Sequence, residues 1–88
     1  MTEKFLIQNK SGLHLRASAR LVRVANDFEC SIAVKSKGRV ASAKSLLNLL
    51  ALAIPHGTEL EIEAEGKDAD QALQAIRQLA QTRFGEAE

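Results

Sequence analysis

The segment from Thr58 to Glu65 alternates without a break: Leu60, Ile62 and Ala64 fall on one side, and Glu59, Glu61, Glu63 and Glu65 on the other. Successive side chains of an extended chain face opposite ways, so this is a strand with one dry and one wet face. A sheet built around such a strand needs an apolar cover on one side only, and the rest of the chain supplies it. Ala17, Leu21, Val24, Ala25 and Phe28 recur at helical spacing and predict a helix from Leu15 to about Asp27. Ala69, Ala72, Leu73, Ile76, Leu79 and Ala80 form the stripe of a last helix, which Asp68 is placed to cap. Between them, Ser45 opens a short Ala- and Leu-rich helix that Pro55 and Gly57 stop.

The other strands are shorter signals. Phe5 and Ile7 alternate with polar neighbours from Glu3 to Asn9, and Ile32 and Val34 do so from Cys30 to Lys35. Ser36-Lys37-Gly38 then turns the chain into a strand at Arg39 to Ser42. The order β-α-β-β-α-β-α gives an α+β fold with three helices on one face of an antiparallel sheet. Leu, Ile, Val and Phe supply 24 of the 88 residues, above the roughly one fifth below which chains stay disordered. The length leaves no room for a second core, so residues 1–88 are expected to form one domain.

Composition narrows the function. Cys30 is the only cysteine, so no internal disulfide forms, and with His14 and His56 it gives no zinc-ligand spacing. Cys30 reads as a packing residue and His56 as a loop residue; no metal and no cofactor is expected. The apolar stretch at the start is too short for a signal peptide. The run Leu46 to Ile54, broken by Asn48, is too short for a membrane span. These features predict a cytoplasmic protein without membrane insertion. The net charge of +1 hides nine basic and three acidic residues in 1–44 against three and eight in 45–88. That asymmetry suggests an acidic partner for the first half, with a basic docking side and an acidic back. RNA binding through the basic helix is disfavoured, because the chain lacks Trp, Tyr and any aromatic cluster on a strand.

The chemistry concentrates in Ser11-Gly12-Leu13-His14-Leu15-Arg16-Ala17-Ser18-Ala19. His14 stands where a glycine turn meets a helix start, so unpaired backbone N–H groups and the positive helix end converge on it. Gly12 lets the backbone turn tightly without a side chain obstructing access, and Arg16 adds a planar cation suited to phosphate oxygens. A nucleophilic imidazole, helix amides and a guanidinium together can accept, hold and release a phosphoryl group; an isolated His here would also serve as a plain helix cap. No sequence signal places an acid beside His14. Arg16, Arg20 and Arg23 lie within about 60° of one another around the helix axis, and Leu15, Ala19 and Val22 make a second apolar stripe beside them. The second helix shows the same surplus. With Leu49, Leu52 and Ala53 assigned to the core, Leu46, Leu47 and Leu50 remain for docking, unless the whole helix is buried.

Gly12-Leu13-His14-x-Arg16, the alanine-rich helix after it, Ala43-Lys44-Ser45-Leu46, Gly57-Thr58 and Ala64-Glu65-Gly66 together resemble the HPr family. These are the histidine-containing phosphocarrier proteins of the bacterial phosphoenolpyruvate-dependent phosphotransferase system, and the resemblance covers essentially the whole chain. It implies an open-faced sandwich with strand order 1-4-2-3. It implies that His14 is phosphorylated on Nδ1 by enzyme I and passes the group to an enzyme IIA-type acceptor, in sugar uptake or its regulation. Such a protein is a carrier rather than an enzyme. Arg16 would compensate the phosphate charge, and the backbone amides of Leu15, Arg16 and Ala17 would hold its oxygens. Leu15, Ala19, Arg20, Arg23, Lys44, Leu46, Leu47 and Leu50 would dock both partners, and a monomer is expected. Ser45 matches the serine that an HPr kinase/phosphorylase modifies in some members, although a plain N-cap explains it as well. The rival is a non-carrier regulatory module of the same fold that binds a kinase or transcription factor under control of Ser45. The resemblance departs at Ala17, where many sugar-transport members carry proline; there the chain looks more like the nitrogen-related, regulatory branch.

Overall fold

The alternating segment lies inside the sheet. In the computed structural model, which describes residues 1–86, the strands are β1 (Thr2–Leu6), β2 (Ser31–Ser36), β3 (Arg39–Ser42) and β4 (Glu59–Glu65). They pair antiparallel in the order β1-β4-β2-β3. Helices α1 (Leu15–Ala25), α2 (Leu46–Ala51) and α3 (Ala69–Gln81) follow the expected order, and a single 3-10 turn spans Arg83–Gly85. Leu60, Ile62 and Ala64 are buried together with Phe5, Ile32 and Val34 from the flanking strands. Ala17, Leu21 and Ala25 of α1 and Ala72, Leu73 and Ile76 of α3 close over them. The fold is the expected α+β open-faced sandwich. The last two positions of the expected 1–88 domain, 87 and 88, lie outside the described residues.

Boundaries moved where local chemistry competes with the pattern. β1 ends at Leu6 rather than Asn9; Ile7 still exchanges hydrogen bonds with Thr58 and Gly57, but Asn9 turns inward and its carbonyl accepts the Gly12 N–H. α1 stops at Ala25, where the Asn26 backbone and side chain both donate to the Val22 carbonyl. α2 is capped by Ser45, whose Oγ accepts from the Asn48 N–H. It ends at Ala51, and Ala53, expected in the core, is exposed with φ +50°.

Asp68 occupies the position before α3 but makes no side-chain cap bond to that helix. Its two carboxylate oxygens instead accept the backbone N–H groups of Glu29 and Cys30, each at 2.9 Å. These donors enter β2 and would otherwise be unpaired, so the acid ties the start of one strand to the start of a helix nearly forty residues on. The Glu29 N–H holds the Asp68 carboxyl below its ordinary range; burial opposes this and the Cys30 N–H adds to it. Cys30 is buried beside it, and burial together with the Asp68 carboxylate pushes its thiol up, which fits a packing role.

The wet face keeps an excess of acid, as the sequence leads one to expect, with the four glutamates of β4 against Lys4 and Lys35 of its neighbours. β4 is an interior strand, and the ladder sets Lys4 and Lys35 on either side of Glu61. Lys35 Nζ also lies 2.9 Å from a Glu63 carboxylate oxygen. Neighbouring strands therefore offset Glu61 and Glu63 but place no lysine across from Glu59 or Glu65, a partial pairing invisible in a charge count along the chain.

Gly12 makes the tight turn expected of it and has a further role besides. With φ +71° it is buried against the chain opposite, and a Cβ there would collide with the Ile54 carbonyl oxygen and stand 2.8 Å from Pro55 Cα. It is needed for packing two backbones together rather than for opening a path to His14. The adjacent Leu13 N–H donates to that Ile54 carbonyl at 2.9 Å.

Two predictions follow from these contacts. Gly12→Ala should lower stability by about 2–4 kcal/mol, through strain and clash together, read as a fall in melting temperature. A carboxyl whose folded pKa is depressed contributes stability that is present above its unfolded value, near 3.9 for Asp, and lost as pH falls through the folded value. Asp68→Asn should therefore be less stable than the parent at pH 7, and the difference should shrink in denaturant titrations carried toward pH 3.

Candidate functional site

The backbone that leaves Gly12 places His14 as the N-cap of α1, with φ −77° and ψ −171°. An N-cap side chain accepts from the first-turn amides, and the imidazole does so through Nδ1, which takes the Arg16 N–H at 3.3 Å. The first bond into the helix is Ser18 N–H to the His14 carbonyl at 2.8 Å. The amides of Leu15 and Ala17 therefore stand in the first turn without an intrahelical acceptor. Ser18 is fully buried, and its hydroxyl donates to the Leu13 carbonyl, which fixes the approach to the helix. Ala17 is also fully buried. Alanine keeps at this position an N–H that proline would lack.

The other ring nitrogen has a partner that sequence reasoning missed. His14 Nε2 lies 2.8 Å from a Glu86 side-chain oxygen, and the His14 side chain is one-third exposed, at 33%. The second Glu86 oxygen accepts from Asn9 Nδ2, which also donates to the Arg83 carbonyl at 2.7 Å. Burial pushes the Glu86 carboxyl up, but the hydrogen bonds from Asn9 and His14, and the charges of His14 and Arg16, outweigh it and hold it below the ordinary carboxylate range.

Glu86 reaches the ring because the chain after α3 doubles back. Arg83 and Phe84 take left-handed conformations at φ +52° and +54°, and Gly85 follows at φ +79°. Each non-glycine residue so held costs about 1–2 kcal/mol. The buried Phe84 ring offsets this, and Arg20 Nη1 clamps the Phe84 carbonyl at 2.7 Å. A Cβ on residue 85 would meet that guanidinium at 2.9 Å. Lys10, Ser11, His14, Arg16, Arg20, Gly85 and Glu86 surround a concavity of about 350 Å³. It is open and polar, fit for a small anion at the ring rather than for an enclosed organic substrate.

The remaining sequence-expected residues divide into two groups. Leu15 is 59% and Leu47 79% exposed, unusual for leucine; Ala19 and Arg23 are exposed, and Leu46 and Leu50 half-buried. α1 and α2 pack against each other, so these side chains lie on neighbouring helices, and Arg16 is exposed in the first turn of α1 next to His14. Arg20 and Lys44 are used within the fold, since Lys44 Nζ donates to the Phe28 carbonyl at 2.6 Å. The Ser45 hydroxyl is engaged by the side chain of Asn48 at 2.8 Å as well as by its backbone. Among the described residues no group of His, Cys, Asp and Glu could hold a metal, and no helix is long and apolar enough to cross a membrane.

Known proteins share both the sequence and the shape. A family model described as "PTS HPr component phosphorylation site" matches residues 1–82. Phosphocarrier protein HPr of Xylella fastidiosa is 35% identical over 86 residues, covering 98% of this chain and 97% of that one. Phosphocarrier protein HPr of Mycoplasma capricolum is 42% identical over 73 residues, covering 83% and 82%. The crystal structure of HPr-C-His from Thermoanaerobacter tengcongensis superimposes with a TM-score of 0.95 at 32% identity, over 100% of this chain and 99% of that one. With its four-stranded sheet, its helix order and this match over nearly its full length, the chain belongs to the HPr family of phosphocarrier proteins of the phosphotransferase system.

Proposed function

We propose that His14 carries the phosphoryl group on Nδ1, receiving it from phosphorylated enzyme I and handing it to an enzyme IIA-type acceptor. The observation that carries this reading is the position of Nδ1 over the amide of Arg16 at the start of α1. A phosphoryl group bonded to Nδ1 takes that amide over from the ring, and its oxygens meet the N–H groups of Leu15, Arg16 and Ala17 and the positive end of the helix. The Arg16 guanidinium, exposed at the same end, offsets the added charge. Transfer in either direction is a displacement at phosphorus between two nucleophiles. The protein supplies position and charge and turns over no small molecule of its own.

Partners dock on the apolar side chains around the ring. Leu15 and Leu47 are the large exposed anchors, with the exposed Ala19 and Arg23 and the half-buried Leu46 and Leu50 on the same two helices. A donor or acceptor with an acidic rim fits this arrangement. The chain acts in the cytoplasm as one monomeric domain, and whether it feeds sugar uptake or its regulation follows from the acceptor it meets. A kinase-added phosphate on Ser45 would replace the bonds to Asn48 and set negative charge at the edge of the same face, opposing an acidic partner.

Incubation with phosphoenolpyruvate and enzyme I should give one acid-labile phosphate per chain, absent from His14→Ala; label retained by that variant would refute the assignment. Leu47→Asp should leave the melting temperature almost unchanged, since the side chain is exposed. It should slow phosphoryl transfer from enzyme I about tenfold or more, as loss of an interface anchor does. An unaltered rate would remove Leu47 from the docking surface.

A further inference from the structure

The tail that turns back after α3 brings one carboxylate to the ring nitrogen opposite the helix amides, and much of the local structure is spent on holding it there. Asn9 is buried in the loop before α1 and directs both hydrogens of its amide at this tail, one to the Arg83 carbonyl and one to Glu86. Its own Oδ1 is buried without a partner among the described residues, an arrangement that ordinarily destabilises a fold. Two acceptors on the nitrogen side fix the orientation of the amide. Arg20, Phe84 and the left-handed pair Arg83–Phe84 add a second set of restraints. What they share is the position of Glu86, whose free oxygen ends 2.8 Å from His14 Nε2.

The hydrogen bonds at the two ring nitrogens are mutually consistent. Nδ1 accepts from the Arg16 N–H and so bears a lone pair; Nε2 faces an anionic oxygen and so bears the proton. We infer that Glu86 is a positioning residue for His14, holding the Nε2–H tautomer, presenting the Nδ1 lone pair to the incoming phosphorus, and stabilising the positive ring that results. The inference rests on the reading of His14 as the phosphoryl acceptor and deepens it.

The transfer balances without moving a proton. The Nδ1 lone pair forms the N–P bond, the bond from phosphorus to the donor breaks, and its electron pair leaves with the donor. Nε2 keeps its hydrogen throughout, so the ring changes from neutral to singly positive while facing the Glu86 carboxylate. When the next acceptor attacks phosphorus, the N–P electron pair returns to Nδ1 and the ring is neutral again. A carboxylate on the distal nitrogen serves the imidazole in catalytic triads in the same way, by fixing the tautomer and balancing the imidazolium. The other charged groups lining this concavity are Lys10, Arg16 and Arg20. All are cations, so Glu86 is its only carboxylate among the described residues.

The test uses the full chain as wild type, Glu86→Gln and Glu86→Ala, with two readouts. Nitrogen NMR of the His14 ring in the unphosphorylated protein reports the tautomer. The rate of phosphorylation by phosphoramidate, a small phosphoryl donor, reports reactivity without any docking partner. Wild type and Glu86→Gln should both show Nε2–H, because the amide oxygen still accepts, whereas Glu86→Ala should lose that preference. Both variants should be phosphorylated about tenfold more slowly than wild type, as expected for loss of a charge-assisted hydrogen bond in the transition state. Unchanged ring signals and an unchanged rate in Glu86→Ala would overturn the inference and leave His14 as acceptor intact. A wild-type chain that takes no phosphoryl group from any donor would instead remove the reading beneath it, and the tautomer measurement would still decide whether Glu86 sets the ring.

Discussion

The dry face of β4 is the constraint on which the rest depends. β4 pairs on both edges, with β1 and β2, so its backbone groups are satisfied laterally and its side chains must be satisfied face by face. Leu60, Ile62 and Ala64 commit one face to burial, and α1 and α3 are the covers. Register follows from the same alternation. A slip of one residue would turn four glutamates into the core, at a cost no small domain can bear. The helices must therefore lie on one side, and their ends, with the loops that feed them, collect at the rim of the sheet where His14 stands.

At that rim three distant pieces of chain meet. Gly12 and Leu13 are pressed against Ile54 and Pro55, which sets the angle at which α1 begins. The tail at 83–86 closes on the same point through Asn9 and Arg20. The imidazole is thus held at both nitrogens, by a backbone amide on one and a carboxylate on the other, while a third of the side chain stays exposed. A phosphocarrier needs this combination. The ring must be ordered enough to react, and open enough that two different proteins can reach it in turn.

What the sequence disclosed was whatever is local. Alternation in a strand, a stripe on a helix, His14 before a helix start and Arg16 two residues on are all properties of a few neighbouring residues, and each appears in the fold as expected. Contacts between distant segments leave no such spacing. Glu86 is 72 residues from His14, and no spacing in the sequence links the two. Asp68 was misread because an acid before a helix has more than one set of N–H groups to serve, and tertiary structure offered it those of Glu29 and Cys30. The acidic back is weaker than the charge count suggests for a related reason. A charge count along the chain separates Lys4 and Lys35 from Glu61, and the sheet puts them side by side.

On the proposed function Nδ1 of His14 is the atom that bears phosphorus, since of the two ring nitrogens it is the one that faces an amide opening α1. Nitrogen–phosphorus coupling measured on the phosphorylated, nitrogen-labelled protein tests this directly. The phosphorylated protein should show a single phosphohistidine, His14, with coupling that identifies the bond at Nδ1 and downfield movement of the Leu15, Arg16 and Ala17 amide signals. A bond at Nε2, which would require displacing Glu86, or phosphorus on any other residue would contradict that assignment.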